Sequence, residues 1–323
     1  MLMRLLKIVA RLGLLCICLI AIASIVATLI CFPWNTDPQG DDTARTRRFY
    51  DRAYATAGVP QQETSGSVQP LSAKEQFYVD CARQTASTFG IPQKIDHFVH
   101  RFGLEQKKIL EVGAGSGILQ DLVPDYTALD ISATARRFFH KPFVEASATD
   151  MPFPDNTFDG LWSVWVLEHI PNPEKALLEM RRVVKPGGYM FLFPAFDVSR
   201  YAAQGYSVRP YRDFDWQGKL VKATIPLSQS TAWHYLQFHQ VRALRFLGAH
   251  LSRGPSRLHF ISLTPNYDQY WVPDSDAAIS VSLYELYLWF ITRGDRCVDY
   301  PSEMRMVLRD VPFDGLIVQV LKP

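Results

Sequence analysis

Lys107-Lys108-Ile109-Leu110-Glu111-Val112-Gly113-Ala114-Gly115-Ser116-Gly117, followed by Tyr126-Thr127-Ala128-Leu129-Asp130, decides how this chain is read. Ile109 to Val112 predicts a buried strand. The three alternating glycines then allow a tight turn and a close approach of backbone to a ligand, which a Cβ would block. Ile118-Leu119-Gln120-Asp121-Leu122-Val123 predicts the start of a short helix, whose amide groups would face a carboxylate or phosphate. Asp130 ends the next apolar run, where an acid can accept hydrogen bonds from a ribose. The glycines alone fit a turn in any α/β protein; the acid one strand later points to a nucleotide-type cofactor.

The dinucleotide fingerprint G-x-G-x-x-G asks for glycine at the position that Ile118 fills, counting from Gly113, which argues against an oxidoreductase. The run Glu111 to Gly117 instead resembles the E-x-G-x-G-x-G signature of class I S-adenosylmethionine-dependent methyltransferases, in a type 11-like domain. The resemblance implies an α/β fold, a doubly wound Rossmann-like sheet of about seven strands. It implies S-adenosyl-L-methionine as cofactor, its methionyl end held at Glu111, Gly113, Gly115 and Gly117 and its ribose at Asp130.

The order of elements beyond Asp130 continues to fit a doubly wound sheet. Ala133 to His140 reads as a short helix and Phe143 to Ala146 as a third strand. Ser147-Ala148-Thr149 then resembles a loop in which an acid–alanine pair reads the adenine. Here Ser147 stands where the acid is usual, and a hydroxyl lacks charge-assisted strength. Asp150 is the substitute if the loop register slips. Phe158 to Val164 reads as a fourth strand, with Asp159 structural. Ser163 to Ile170 resembles the loop that borders the active-site mouth, which implies Trp165 in the cofactor pocket and His169 as candidate general base. Against the catalytic reading stands a histidine that only braces the loop. Pro173 to Val184 is an amphipathic helix, Lys185 to Gly188 a turn, and Tyr189 to Phe193 a fifth strand.

Outside this stretch, composition sets limits. A net charge of +2 over 323 residues is too small to argue for nucleic acid. Of five cysteines, Cys16, Cys18 and Cys31 fall in an apolar N-terminal run, so no disulfide framework is expected. Leu12 to Phe32 carries no charge and, at ~1.5 Å per residue, spans ~30 Å, which predicts an uncleaved single-pass anchor. Arg4, Lys7 and Arg11 before it favour a cytoplasmic N-terminus and an exported domain. A methyl donor made in the cytosol favours the opposite side, and the reading adopted is a domain on the cytoplasmic face.

Asp41 to Tyr54 reads as a charged helix and Gly58 to Gln69 as a linker. Two helices precede the first strand, one opening at Ser72 to Glu75 and one over Ile95 to Phe102. The resemblance makes such helices cofactor lids, with Phe77 and Tyr78 as lid or ordinary core aromatics. From Ala195 to Gly254 runs a helical insert rich in aromatic and basic residues, including Tyr201, Trp216 and Trp233. It would serve as acceptor pocket or lid, as a membrane-contacting surface, or as a local core. His234 and His239, five apart, do not share a helix face, so no metal site is expected. Leu258 to Leu263 reads as a sixth strand, Asp276 to Thr292 as a buried helix, and Gly315 to Leu321 as the last strand.

The expected organisation is an anchor (1–34), linker and lid helices (35–104), a cofactor-binding core (105–194), an acceptor insert (195–256) and closing strands (257–323). The functional reading is a membrane-anchored methyltransferase acting on a small-molecule, lipid or sugar acceptor. The alternative is a non-catalytic binding or scaffolding protein of the same fold.

Overall fold

β1 (Ile109–Val112), with all four side chains buried, lies mid-sheet. It pairs in parallel with β2 (Tyr126–Asp130) on one side and β4 (Phe158–Val164) on the other. β3 (Phe143–Glu145) extends the sheet beyond β2, and β5 (Val184–Phe193) beyond β4, both in parallel. β9 (Leu316–Gln319) runs antiparallel to β5, and β8 (Arg296–Cys297) antiparallel to β9. The order is 3-2-1-4-5-9-8. The chain turns back between β1 and β4, and such a switch point opens a crevice at the carboxyl ends of the strands. The computed structural model describes residues 2–31, 36–37, 43–56, 73–252, 254–269, 272–300, 302–308 and 315–321, so the expected linker lies outside the described residues.

Strand alternation divides β1 between two cores. Leu110 and Val112 face one side with Leu177 and Met180 of α5 (Pro173–Val183) and Leu288 and Trp289 of α8 (Leu283–Ile291). Ile109 faces the other, with Tyr126, Trp162, and Ile95 and Phe98 of α4 (Ile91–Arg101). Local signals place the helix starts. Asn172 caps α5 by accepting from Lys175 N at 3.2 Å, with Pro173 in the first turn. Ser282 caps α8 in the same way through Glu285 N. The expected helix over Asp276 to Thr292 therefore starts later, and Ile279–Ser280 before it is a strand, β7.

Two further expectations are corrected. Ile118 to Val123 is not helical: its bonds close over three residues, Gln120 N to Gly117 O and Leu122 N to Leu119 O. Six residues before Pro124 are too few to offset helix nucleation. The Gln120 amide donates instead to Gly117 O and Phe138 O, both at 3.0 Å. Leu258 to Leu263 is not the sixth strand of the main sheet. Ile261–Ser262 (β6) pairs antiparallel with β7 apart from it, while Leu258 and Phe260 are buried in the α5–α8 core. An apolar run fits a core-lining segment as well as a sheet position, and Arg296–Cys297, directly after α8, takes the sheet place. The turn expected at Lys185 to Gly188 bulges within β5, where pairing jumps from Phe158–Val184 to Gly160–Tyr189.

α6 (Trp216–Ser228) and α7 (Thr231–Leu251) make up the helical insert. A buried bidentate pair, Arg245 to Glu285 at 2.6 and 2.7 Å, ties α7 to α8. α1 (Leu2–Cys31) lies against α7. Its described side chains, Val9 and residues 11–26, are exposed except Ser24. Among the described residues no helix is long and apolar enough to cross a membrane, so the anchor expected at residues 12–32 rests on sequence alone.

Glu111 points into the core beside Tyr126, whose hydroxyl donates to its carboxylate. Burial pushes the Glu111 carboxyl up to about 8, against the lowering effect of that hydroxyl. In the unfolded chain the group titrates in the ordinary carboxylate range. Its contribution to stability is whole below that range and is lost as pH rises through about 8. Glu111→Gln removes the dependence. Its stability advantage over wild type should grow by ~1.4 kcal/mol per pH unit between pH 5 and 8 and then level, read from urea midpoints across pH.

Candidate cofactor and acceptor site

A cavity of about 310 Å³ opens at the switch point, lined by Gly113, Asp130, Ser147, Ala148, Thr149, Trp165 and His169 among others, with Thr46, Tyr50 and Tyr54 also on its wall. Asp130 sits at its inner wall, only 4% exposed. One carboxylate oxygen accepts from Gly115 N at 2.8 Å and the other from Ser132 N at 2.9 Å. Burial pushes the Asp130 carboxyl up to about 6, opposed by those amide donors and reinforced by nearby Asp51. A carboxylate has about four acceptor positions, so two remain for the hydroxyls of a diol.

The glycines have reasons beyond ligand approach. Gly113 has φ +73°, and a Cβ there would stand 2.2 Å from a Val166 methyl carbon. At Gly115, φ +51°, a Cβ would meet the Tyr54 hydroxyl at 3.1 Å. The glycine loop is thus packed from both sides, by the turn after β4 and by α2 (Thr43–Thr56).

Of the residues expected at the cofactor, Gly113, Asp130, Ser147, Ala148, Thr149 and Trp165 all line the cavity. Glu111 does not: the pleat turns it into the core. Gly115 reaches the site through the hydrogen bond its backbone N–H donates to Asp130, and Gly117 packs against Gln120 and Phe139 away from the cavity wall. The Ser147 hydroxyl is engaged within its own turn, with Thr149 N at 3.2 Å and the Thr149 hydroxyl at 2.9 Å. Asp150 is exposed and off the cavity wall, so it does not substitute for the missing acid. Trp165 takes a left-handed backbone, φ 53°, held by its N–H to Phe193 O. Such strain in a bulky residue persists only where the surroundings enforce it.

His169 also reaches the cavity. Its Nδ1 lies 3.3 Å from Asp276 Oδ2 and its Nε2 3.8 Å from Glu168 Oε1. Burial alone would lower this imidazole, but Asp276, Glu168 and Asp274 around it raise it. Burial raises Glu168 to about 7.

The covering helix is α2. Asp51 accepts from the Ser132 hydroxyl at 2.6 Å and Arg137 donates to Ala55 O at 2.7 Å, which fastens α2 to the turn after β2. On the opposite side Tyr50 donates to Asp276 at 2.7 Å and Thr46 pairs with the Tyr267 hydroxyl at 2.8 Å. Tyr50 and Tyr54, four residues apart, share one helix face, a signal present in the sequence. Asp276 had none: more than a hundred residues separate it from His169. The side chains of Phe77 and Tyr78, in α3 (Ala73–Thr88), lie outside the described residues.

Residues 110–192 match the family model described as a methyltransferase domain. This part of the chain is a class I methyltransferase domain. The chain resembles a ubiquinone/menaquinone biosynthesis C-methyltransferase of Cupriavidus taiwanensis, 33% identical over 33% of this chain and 46% of that protein. It is 26% identical to a sterol 24-C-methyltransferase of Gibberella zeae over 59% of this chain and 52% of that one. With a fatty-acid O-methyltransferase of Mycolicibacterium smegmatis it shares 33% over 30% of this chain and 42% of that one. The chain spans about half the length of the curated relatives it matches. A solved structure of a SAM-bound amino pentose methyltransferase from Micromonospora echinaspora is 17% identical over 38% of this chain and 58% of that chain, with a TM-score of 0.34.

S-adenosylmethionine is the cofactor of this domain family, and the residues present fit it. Asp130 offers the acceptor positions not taken by the Gly115 and Ser132 amides to a ribose, and the cavity opens beside it. An acid that must be ionised to accept makes cofactor affinity steady above pH 7. Affinity should fall as pH drops through about 6, read by calorimetry, and Asp130→Asn should flatten that dependence while weakening binding. Gly113→Ala should destabilise by roughly 1–3 kcal/mol from the clash with Val166 plus about 1–2 kcal/mol from the left-handed backbone. Adding Val166→Ala should restore only the first part in urea unfolding.

Proposed function

We propose that the protein is an S-adenosylmethionine-dependent methyltransferase that modifies an apolar small molecule or lipid at a membrane. The observation that carries the reading is Asp130, buried beside a cavity and aimed by two backbone amides with half its acceptor capacity free. Bound there, the cofactor supplies a methyl group already activated by the sulfonium charge. The chain's part is to hold the ribose at Asp130, close the site with Tyr50 and Tyr54, and align the acceptor near His169 while excluding water.

The names of the relatives place them in ubiquinone and menaquinone biosynthesis, on sterols and on fatty acids, which supports a lipid acceptor over a sugar. Leu12 to Phe32 supports a single-pass anchor. The exposed Leu244, Leu247 and Leu251 of α7, beside α1, and Trp216, Leu220 and Leu227 of α6 supply further apolar surface. The supply of methyl donor supports a domain on the cytoplasmic side.

A scaffolding protein of the same fold is the second reading, favoured by Ser147 in the acid's place and its hydroxyl engaged in its own turn. Calorimetry on the full chain in detergent separates the two. Micromolar cofactor binding, lost in Asp130→Ala and Gly115→Val, supports the enzyme, and no binding by wild type supports the scaffold. Labelled methyl transfer into membrane extract should place the label in the organic-solvent fraction. Label confined to the aqueous fraction would overturn the lipid acceptor.

A further inference from the structure

Glu168, His169 and Asp274 bring three donor atoms, one from each side chain, within 4.8 Å of one another. Two donors held by one ion at ~2.1–2.4 Å stand at most about 4.8 Å apart, so this spacing suits a shared cation. Glu168 is 0% exposed, and neither of its carboxylate oxygens makes a well-formed hydrogen bond, the backbone amides of Glu168 and Ala195 being its nearest donors. Its Oε1 faces His169 Nε2 at 3.8 Å. A buried carboxylate so weakly satisfied is costly unless a positive charge meets it. Among the described residues neither Glu168 nor Asp274 forms an ion pair with a lysine or arginine.

The surroundings arrange the imidazole for the same purpose. Asp276 Oδ2 accepts from the Tyr50 hydroxyl at 2.7 Å and lies 3.3 Å from His169 Nδ1. Nδ1 makes no hydrogen bond here, but a carboxylate this near the far ring nitrogen is placed to become the outer partner of a ligand histidine, which leaves Nε2 for the ion. We propose that Glu168, His169 and Asp274 bind one divalent cation at the wall of the cavity. Two carboxylates and one imidazole suit Mn²⁺ or Zn²⁺ better than an all-oxygen ion such as Ca²⁺. The cation joins the turn after β4 to the loop over 272–278, two segments already bonded through Ala278 N to Glu168 O at 2.8 Å. Held in this way, His169 is a ligand that shapes the acceptor side and not a free base.

The inference does not depend on methyl transfer, and its test reads the metal directly. The full chain in detergent, stripped with chelator, is titrated with Mn²⁺ and followed by electron paramagnetic resonance. One saturable ion per chain is expected, with Glu168→Gln and Asp274→Asn each weakening it at least tenfold. Mn²⁺ should also raise the melting temperature of wild type and leave that of Asp274→Asn unmoved. Asn tolerates the left-handed backbone at this position, φ 62°, and Asp274 is only partly buried, so this variant tests the site should Glu168→Gln fail to fold. No saturable Mn²⁺ in wild type, or affinity unchanged in Asp274→Asn, overturns the proposal. Mn²⁺ bound by a chain that binds no S-adenosylmethionine would sustain the cation site and sink only the methyltransferase reading.

Discussion

The Asp130 carboxylate, buried at the end of β2 and bonded to the amides of Gly115 and Ser132, is the joint on which the site depends. It crosses from one strand to the loop of its neighbour, so the glycine bend and the end of β2 are held in one register. An ionised acid in so buried a place is held by directed N–H groups, which only a tightly turned backbone can present. The left-handed turns at Gly113 and Gly115 supply that backbone. The same compactness leaves no room for a Cβ at Gly113, where Val166 closes on the loop, and crowds one at Gly115 against Tyr54.

Around this joint the chain assembles pieces from distant parts of its length. α2 comes from before the sheet, His169 from the turn after β4, and Asp276 from beyond the insert. Tyr50 ties the first to the last, and its ring meets His169 edge-on at 6.0 Å. Three carboxylates surround one imidazole here, and among the described residues neither Glu168 nor Asp274 pairs with a lysine or arginine. Natural cores tolerate such a cluster where a bound group completes it.

The insert is built as a structural part in its own right. Arg245 crosses from α7 to Glu285 of α8 with further bonds to the Ser256 hydroxyl and Arg257 O, so a helix expected as acceptor lid is also anchored to the sheet-covering layer. α8 itself is buried from Tyr284 to Phe290, as its near-continuous apolar run implied.

Most of the sheet was legible in the residues, because a parallel strand buried on both faces writes itself as a short apolar run bounded by turn chemistry. The Gly113 to Gly117 loop, Asp130 at a strand end and the Asn172–Pro173 helix start are local signals of that kind. Propensity failed where several environments accept the same pattern. Leu258 to Leu263 could line a core as well as extend a sheet, and Ile118 to Val123 was too short to sustain a helix. Glu111 was expected at the cofactor because it leads into the glycine bend, whereas the pleat turns it into the core. Sequence by itself determined the first five strands and the acid that ends the second, since each is written as a local run of residues. The roof of Tyr50 and Tyr54, and Asp274 and Asp276 beside His169, were decided only by tertiary structure. No periodicity records which residues a hundred positions apart will share one buried corner.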